Sequence, residues 1–216
     1  MTGRLRRRHT AAGVVLAALL HAGTAAAGEV RVAVAANFTA AAKEIAAAFE
    51  ETSGDTAVLS FGSTGQLFTQ IAQGAPFDVF LAADRARPEK AVADGLAVEG
   101  SRFTYATGKI VLYSTDPDLV SGEATLSDAS FDKLAIANPE TAPYGAAAVE
   151  TMTALGVTET LAPKLVQGSN IAQTYQFVAT GSAELGFVAL SQLTGTDGGS
   201  RWVVPETLYD PIAQDA

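Results

Sequence analysis

The strongest constraint in this chain is an alternation in which a stretch of period two runs straight into a stretch of helical period, and the pair then recurs. Its first instance is Val30 to Phe49, VRVAVAANFTAAAKEIAAAF. Val30, Val32 and Val34 alternate with Arg31, Ala33 and Ala35, which predicts a strand. Ala41, Ile45, Ala48 and Phe49 fall at spacings of three and four, which predicts a helix face. The junction Ala36-Asn37-Phe38-Thr39 is small and polar, with Asn37 or Thr39 as the expected cap. A helix start carries N–H groups without intrahelical partners and the positive end of the helix dipole. Such a junction can hold an anion with no cationic side chain.

The device repeats. Thr56 to Phe61 is a second expected strand, and Gly62-Ser63-Thr64-Gly65 turns it into a helix through Leu67, Phe68, Ile71 and Ala72. Phe77 to Ala82 follows as a buried strand, then a short helix from Pro88 to Gly95. Strands alternating with helices in this way predict an α/β fold with a mostly parallel sheet. Between Phe103 and Gly108 the pattern changes, because the strands Arg102 to Ala106 and Lys109 to Ser114 adjoin with little between them; this is the expected crossing into a second lobe. That lobe continues with a strand at Leu134 to Ala137, the turn Asn138 to Gly145, and a helix from Ala146 to Leu155 closed by Gly156. Lys164 to Gln167 enters Gly168-Ser169-Asn170-Ile171 and a helix to Thr180, again ended by glycine. Glu184 to Ala189 is expected to lead back towards the first lobe, Trp202 to Val204 to form a last strand, and the tail from Asp210 to fray. The expected organisation is a first lobe over 28–107, a second over 108–190, and a return segment over 191–216.

Residues 1–27 read as a secretory leader, with Arg4, Arg6, Arg7 and Arg8 before the apolar run Ala11 to Leu20 and a small-residue cleavage site at Ala25-Ala26-Ala27. The run is too short to span a bilayer, and the apolar residues that would follow a twin-arginine pair are replaced by His9 and Thr10, so general secretory export to the periplasm is expected. The leader holds four of the 14 basic residues and none of the 23 acidic ones, which leaves the rest of the chain at a net charge of −13. Nucleic acid and anionic membrane surfaces are therefore not expected partners. Both histidines, His9 and His21, lie in the leader, and there is no cysteine. Ser-His-Asp and Cys-His hydrolysis and the common zinc sites are excluded together. FGSTG is likewise neither a nucleophile elbow nor a phosphate-cradling P-loop, since the glycine spacing and the Lys-Ser/Thr ending are missing. As a lone feature it is an ordinary Ser/Thr cap.

The helix starts near Asn37, Thr64, Tyr144 and Ile171 gain meaning as a set. None has a Lys or Arg within a residue or two, and ligands of open α/β sheets sit beyond the carboxyl ends of the strands, where such starts gather. With two starts in each lobe, an interlobe cleft would see all four. Six hydrogen bonds to a charged acceptor, at about 1.5–3 kcal/mol each, sum to roughly 9–18 kcal/mol gross, enough for micromolar to nanomolar binding after association costs. Neutral donors alone suit a fully deprotonated dianion, whereas hydrogen phosphate needs an acceptor for its proton; Glu140 is the nearest carboxylate in sequence.

The strings VAVAANFT, FGSTGQLFTQIAQGAPFDVFLAAD and ANPETAPYG, with the stretch around Asn170-Ile171, resemble the periplasmic molybdate-binding proteins of bacterial ABC-class molybdate importers, in matching order over nearly the whole chain after the leader. The resemblance implies a two-lobed type II periplasmic binding protein fold with two crossover strands. It also implies no catalysis and no cofactor, capture of molybdate or tungstate in the cleft, and delivery by a monomer to the importer's permease subunits. Carried onto this sequence, it gives Asn37 and Thr64 with Ser63 as first-lobe ligands, and Tyr144 and the main-chain N–H of Ile171 as second-lobe ligands. The molybdenum would be held as its oxyanion, with no direct protein–metal bond. Some members of the family have Ser at the first position and Tyr in the strand after the last ligand helix. Here those positions are Asn37 and Ala189, and Tyr144 supplies the hydroxyl, as in the branch with an Asn-Phe-Thr start. The alternatives are a binding protein for sulfate or another tetrahedral oxyanion and a carboxylate-dependent exported enzyme. A regulatory effector domain is disfavoured by the leader.

Overall fold

A computed structural model describes residues 28–216; the expected leader, 1–27, lies outside the described residues. Strand β1 (Glu29–Ala35) passes through a 3-10 turn, Ala36–Phe38, into α1 (Thr39–Ser53). β2 (Thr56–Gly62), α2 (Thr64–Ala72), β3 (Val79–Leu81) and α3 (Ala86–Ala93) complete the first run. β4 (Thr104–Gly108) and β5 (Ile110–Ser114) follow, then α4 (Ala124–Asp128), β6 (Leu134–Ala137), α5 (Pro143–Ala154) and α6 (Thr158–Leu161). The chain closes with β7 (Leu165–Gly168), α7 (Ile171–Ala179), β8 (Leu185–Ala189), β9 (Ser200–Val203) and β10 (Ile212–Asp215).

The strands make two lobes. In the first, β2-β1-β3 is a parallel sheet, and the antiparallel pair β10-β4 continues it through Ala82 N–H to Asp215 O at 3.0 Å. In the second, the order is β7-β6-β8-β5-β9, with β6 parallel to β7 and β8 and with β5 antiparallel to β8 and β9. The main core lies in this second lobe, where Ile110, Leu112, Leu134, Ile136, Leu185 and Phe187 are buried between sheet and helices. Two stretches join the lobes, Gly108 to Ile110 and the segment from Val204 to Pro211. Lys109, between β4 and β5, offers its carbonyl to Leu190 N–H at 2.9 Å. The expected crossing of the chain near Gly108 is therefore where the sheets change.

Five expectations need correction. Glu184 to Ala189 does not return to the first lobe: β8 is the middle strand of the second sheet, because β6 and β5 pair on its two sides. β9 also pairs with β5, so residues 200–203 belong to the second lobe and the return is carried by β10. The tail is not frayed. Gln214 and Asp215 are only 2% and 1% exposed, and Asp215 takes hydrogen bonds from Arg102 at 2.5 Å and Thr104 at 2.6 Å. Finally, α1 turns a different face inwards. Phe38, Ala42, Ala46 and Phe49 lie on the sheet side, where small alanines let the helix approach, while Ile45 is 58% exposed. Neither expected cap serves α1: Thr39 donates its hydroxyl back to Ala36 O at 2.8 Å, and the Asn37 side chain is directed elsewhere.

Candidate functional site

The ends of β1, β2, β6 and β7 all point at one place between the lobes, and the helix starts that follow them wall a small cavity there. Its lining comprises Ala35, Ala36, Asn37, Gly62, Ser63, Thr64 and Ala83 from the first lobe and Ala142, Pro143, Tyr144 and Ile171 from the second. All five residues singled out in the sequence, Asn37, Ser63, Thr64, Tyr144 and Ile171, are thus brought together, each at most 6% exposed. The lining contains no Asp, Glu, Lys or Arg. The free volume is about 10 Å³, the space of a single water molecule.

The local reasons are those of helix starts. At α2, Ser63 accepts from Gln66 N–H, Gly65 N–H is taken by Thr141 O at 2.8 Å, and Leu67 N–H by Ser63 O. At α5, Pro143 brings no N–H, and Gly145 and Ala146 both donate to Ala142 O. At α7, the Asn170 side chain accepts from Ala172 and Gln173 N–H at 3.0 Å each, and Thr174 N–H donates to Asn170 O. The main-chain N–H groups of Thr64, Tyr144 and Ile171 are left over: among the described residues none has a hydrogen-bond partner. They are also the N–H groups at the mouths of three helix dipoles.

Three hydroxyls add to them. Ser63 Oγ accepts from Gln66 N–H at 3.4 Å, Thr64 Oγ1 from Ala83 N–H at 2.9 Å, and the Tyr144 hydroxyl from Gln214 Nε2 at 3.1 Å. Among the described residues none of the three donates, so each keeps its hydrogen for the cavity. Burial pushes the Tyr144 phenol well above its ordinary value, outweighing the opposing hydrogen bond from Gln214. Burial does the same for Tyr105, helped by the neighbouring Tyr144 and Asp215. Both stay neutral and proton-bearing.

Gln214, within the tail expected to fray, sits behind the site. Its Oε1 accepts from Asn37 Nδ2 at 3.0 Å and lies 3.2 Å from the Tyr105 hydroxyl, while its Nε2 donates to Tyr144. Nothing within Pro211 to Ala216 marks it; only the pairing of β10 with β4 puts it there. Gly108 makes room for this group. A Cβ on Gly108 would stand 2.2 Å from the Tyr144 hydroxyl and 2.6 Å from Gln214 Nε2.

The lobes are held closed over the cavity by direct bonds. Besides Gly65 to Thr141 and Gln214 to Tyr144, the Arg87 guanidinium, paired with Asp84, donates to Glu140 O at 2.9 Å, and Ser191 Oγ donates to Asn37 O at 2.7 Å. Gly65 lets the lobes come close here, since a Cβ would stand 3.0 Å from Thr141 Cα, tighter than ordinary contact.

The family model for bacterial extracellular solute-binding proteins matches residues 30–216. The chain belongs to that family. The solute-binding protein is 56% identical over 212 residues to the molybdate-binding protein ModA of Rhodobacter capsulatus, covering 98% of this chain and 83% of the relative. It is 56% identical over 207 residues to ModA of Azotobacter vinelandii, covering 94% and 82%. Among solved structures, the periplasmic molybdate-binding protein of Azotobacter vinelandii superposes with a TM-score of 0.83 at 39% identity, over 86% of this chain and 83% of that one. The two-lobed periplasmic binding fold expected from the sequence is therefore the fold of this chain.

Proposed function

We propose that this solute-binding protein captures molybdate, and with it tungstate, in the interlobe cavity and hands it to the permease of an ABC importer from the periplasm. The observation that carries the reading is the composition of the cavity wall: neutral donors from both lobes, with no charged side chain and no carboxylate. A dianion with four bare oxygens can accept from every one of them, whereas a singly protonated anion brings a hydrogen for which the wall offers no carboxylate. The ligands are the Asn37 amide, the Ser63, Thr64 and Tyr144 hydroxyls, and the main-chain N–H of Ile171, with the N–H groups of Thr64 and Tyr144 beside them. The metal is reached only through its oxygens. Identity at 56% with two molybdate-binding proteins supports the choice of anion.

A cavity of about 10 Å³ admits nothing larger than water. Binding therefore runs through an open form, with the lobes parting about Gly108–Ile110 and Val204–Pro211 and closing again around the anion, held slightly wider than in this structure. Both halves of the site come from one chain, so a monomer is sufficient for capture. Isothermal titration calorimetry of the purified protein with molybdate, tungstate, sulfate and phosphate tests the reading. Tight one-to-one binding of the first two, with sulfate and phosphate at least 100-fold weaker, is the expected result. Preference for sulfate, or binding of none of the four, would overturn it.

A further inference from the structure

We propose that Gln214 is the positioning residue that fixes the site as donor-only and so excludes singly protonated oxyanions. The inference rests on the oxyanion reading above and deepens it. The Ser63 and Thr64 hydroxyls accept from the main-chain N–H groups of Gln66 and Ala83, which cannot reverse, whereas the Tyr144 hydroxyl, which can donate or accept, and the Asn37 amide, which presents either end, have no such main-chain partner. Gln214 removes that freedom. Its Nε2 fills the acceptor site of the Tyr144 hydroxyl, which turns the Tyr144 hydrogen towards the cavity, and its Oε1 claims one hydrogen of Asn37 Nδ2, which fixes the Asn37 amide. Its own orientation is set in turn. The Tyr105 hydroxyl shares its hydrogen between Ala82 O at 2.8 Å and Gln214 Oε1 at 3.2 Å, so the end of the amide that faces it is the oxygen. At 2% exposure no water competes for these bonds.

Gln214 also joins the lobes. It lies on β10 of the first lobe and holds Tyr144 on α5 of the second, directly over Gly108 at the crossing. The donor polarity of Tyr144 is thus set only when the lobes are together, so the test applied to a bound anion's protonation is made by the closed form.

The experiment compares wild type with Gln214→Met, which keeps length and apolar bulk but neither donates nor accepts strongly, and with Gln214→Glu. Affinities for molybdate, sulfate and hydrogen phosphate are measured at pH 8 by titration or by competition against molybdate. In Gln214→Met the Tyr144 hydroxyl is free to rotate and accept, so the ratio of phosphate to molybdate dissociation constants should shrink at least 10-fold. The ratio of sulfate to molybdate, both free of protons, should stay within about 3-fold. In Gln214→Glu the carboxylate takes the Tyr144 hydrogen and repels the anion, and molybdate affinity should fall at least 100-fold. Equal weakening of all three anions in Gln214→Met would mean a merely structural residue and overturn the proposal. A ligand-free arm separates this failure from failure of the functional reading. Chemical denaturation of Gln214→Met, Tyr144→Phe and the double variant should show non-additive losses if Gln214 orients Tyr144. Additive losses overturn the proposal even where wild type binds molybdate, while wild type that binds no anion, with non-additive losses intact, overturns the functional reading and with it the selectivity role.

Discussion

Replacing Thr64 by Val separates two hydrogen bonds that share one oxygen. Thr64 Oγ1 accepts from Ala83 N–H at 2.9 Å, with the two residues 1% and 2% exposed, and its own hydrogen is left for the cavity. Val keeps the branched shape and loses both. The Ala83 N–H is then buried without a partner, which costs about 1–3 kcal/mol of stability and lowers the melting temperature by roughly 2–12 °C for a chain of this size. The lost bond to a charged acceptor costs a further ~1.5–3 kcal/mol, now in binding, which is a rise of about 10- to 150-fold in the dissociation constant for molybdate. Thr64→Ser restores the hydroxyl and should bind within about 3-fold of wild type. Calorimetric titration with molybdate, paired with a thermal melt of the ligand-free protein, reads the two effects separately. A Val variant that melts early but binds molybdate as wild type does would show that the hydroxyl serves Ala83 alone, and the assignment of cavity donors from unspent hydroxyl hydrogens would fall with it.

Gly108→Ala sets a methyl group against the Tyr144 hydroxyl and Gln214 Nε2; overpacking of this kind costs about 1–3 kcal/mol, and the closed form should bear most of it, so small-angle scattering with saturating molybdate should report incomplete closure. Arg87→Ala removes the bond across the cleft to Glu140 O. Molybdate release measured by stopped-flow should be about 5-fold faster with little change in association, as expected for loss of about 1 kcal/mol from a partly exposed contact. Burial holds the phenols of Tyr105 and Tyr144 above their ordinary value in the folded protein, so above about pH 10 the unfolded chain loses protons that the folded one keeps. Stability is fully present below that pH and should fall above it by up to about 1.4 kcal/mol per pH unit for each tyrosine; urea melts from pH 9 to 11 should show a shallower decline in Tyr144→Phe.

Much of the site was legible because its chemistry is local. A strand that runs into a helix through Asn37, Ser63-Thr64, Pro143-Tyr144 or Asn170-Ile171 announces unpaired N–H groups from sequence alone, and the parallel arrangement of such units makes them gather at one edge. The pairing of β10 was illegible for the opposite reason. Ile212 to Asp215 is four residues with no pattern of its own, and its partner β4 lies more than a hundred residues earlier. The inward face of α1 was misread because many of its positions are alanine and carry little apolar signal, so that Ile45, a large apolar side chain that is in fact exposed, set the expected face.

By itself the sequence determined the α/β alternation, the absence of histidine and cysteine chemistry outside the first 27 residues, and the four neutral helix starts, because each depends on residues within a few positions of one another. The tertiary structure alone decided which strand returns to the first lobe, and through it that Gln214 stands behind Asn37 and Tyr144. Sheet pairing brings together groups from distant parts of the chain, and the direction of a hydroxyl hydrogen is set by whichever of them arrives at its oxygen.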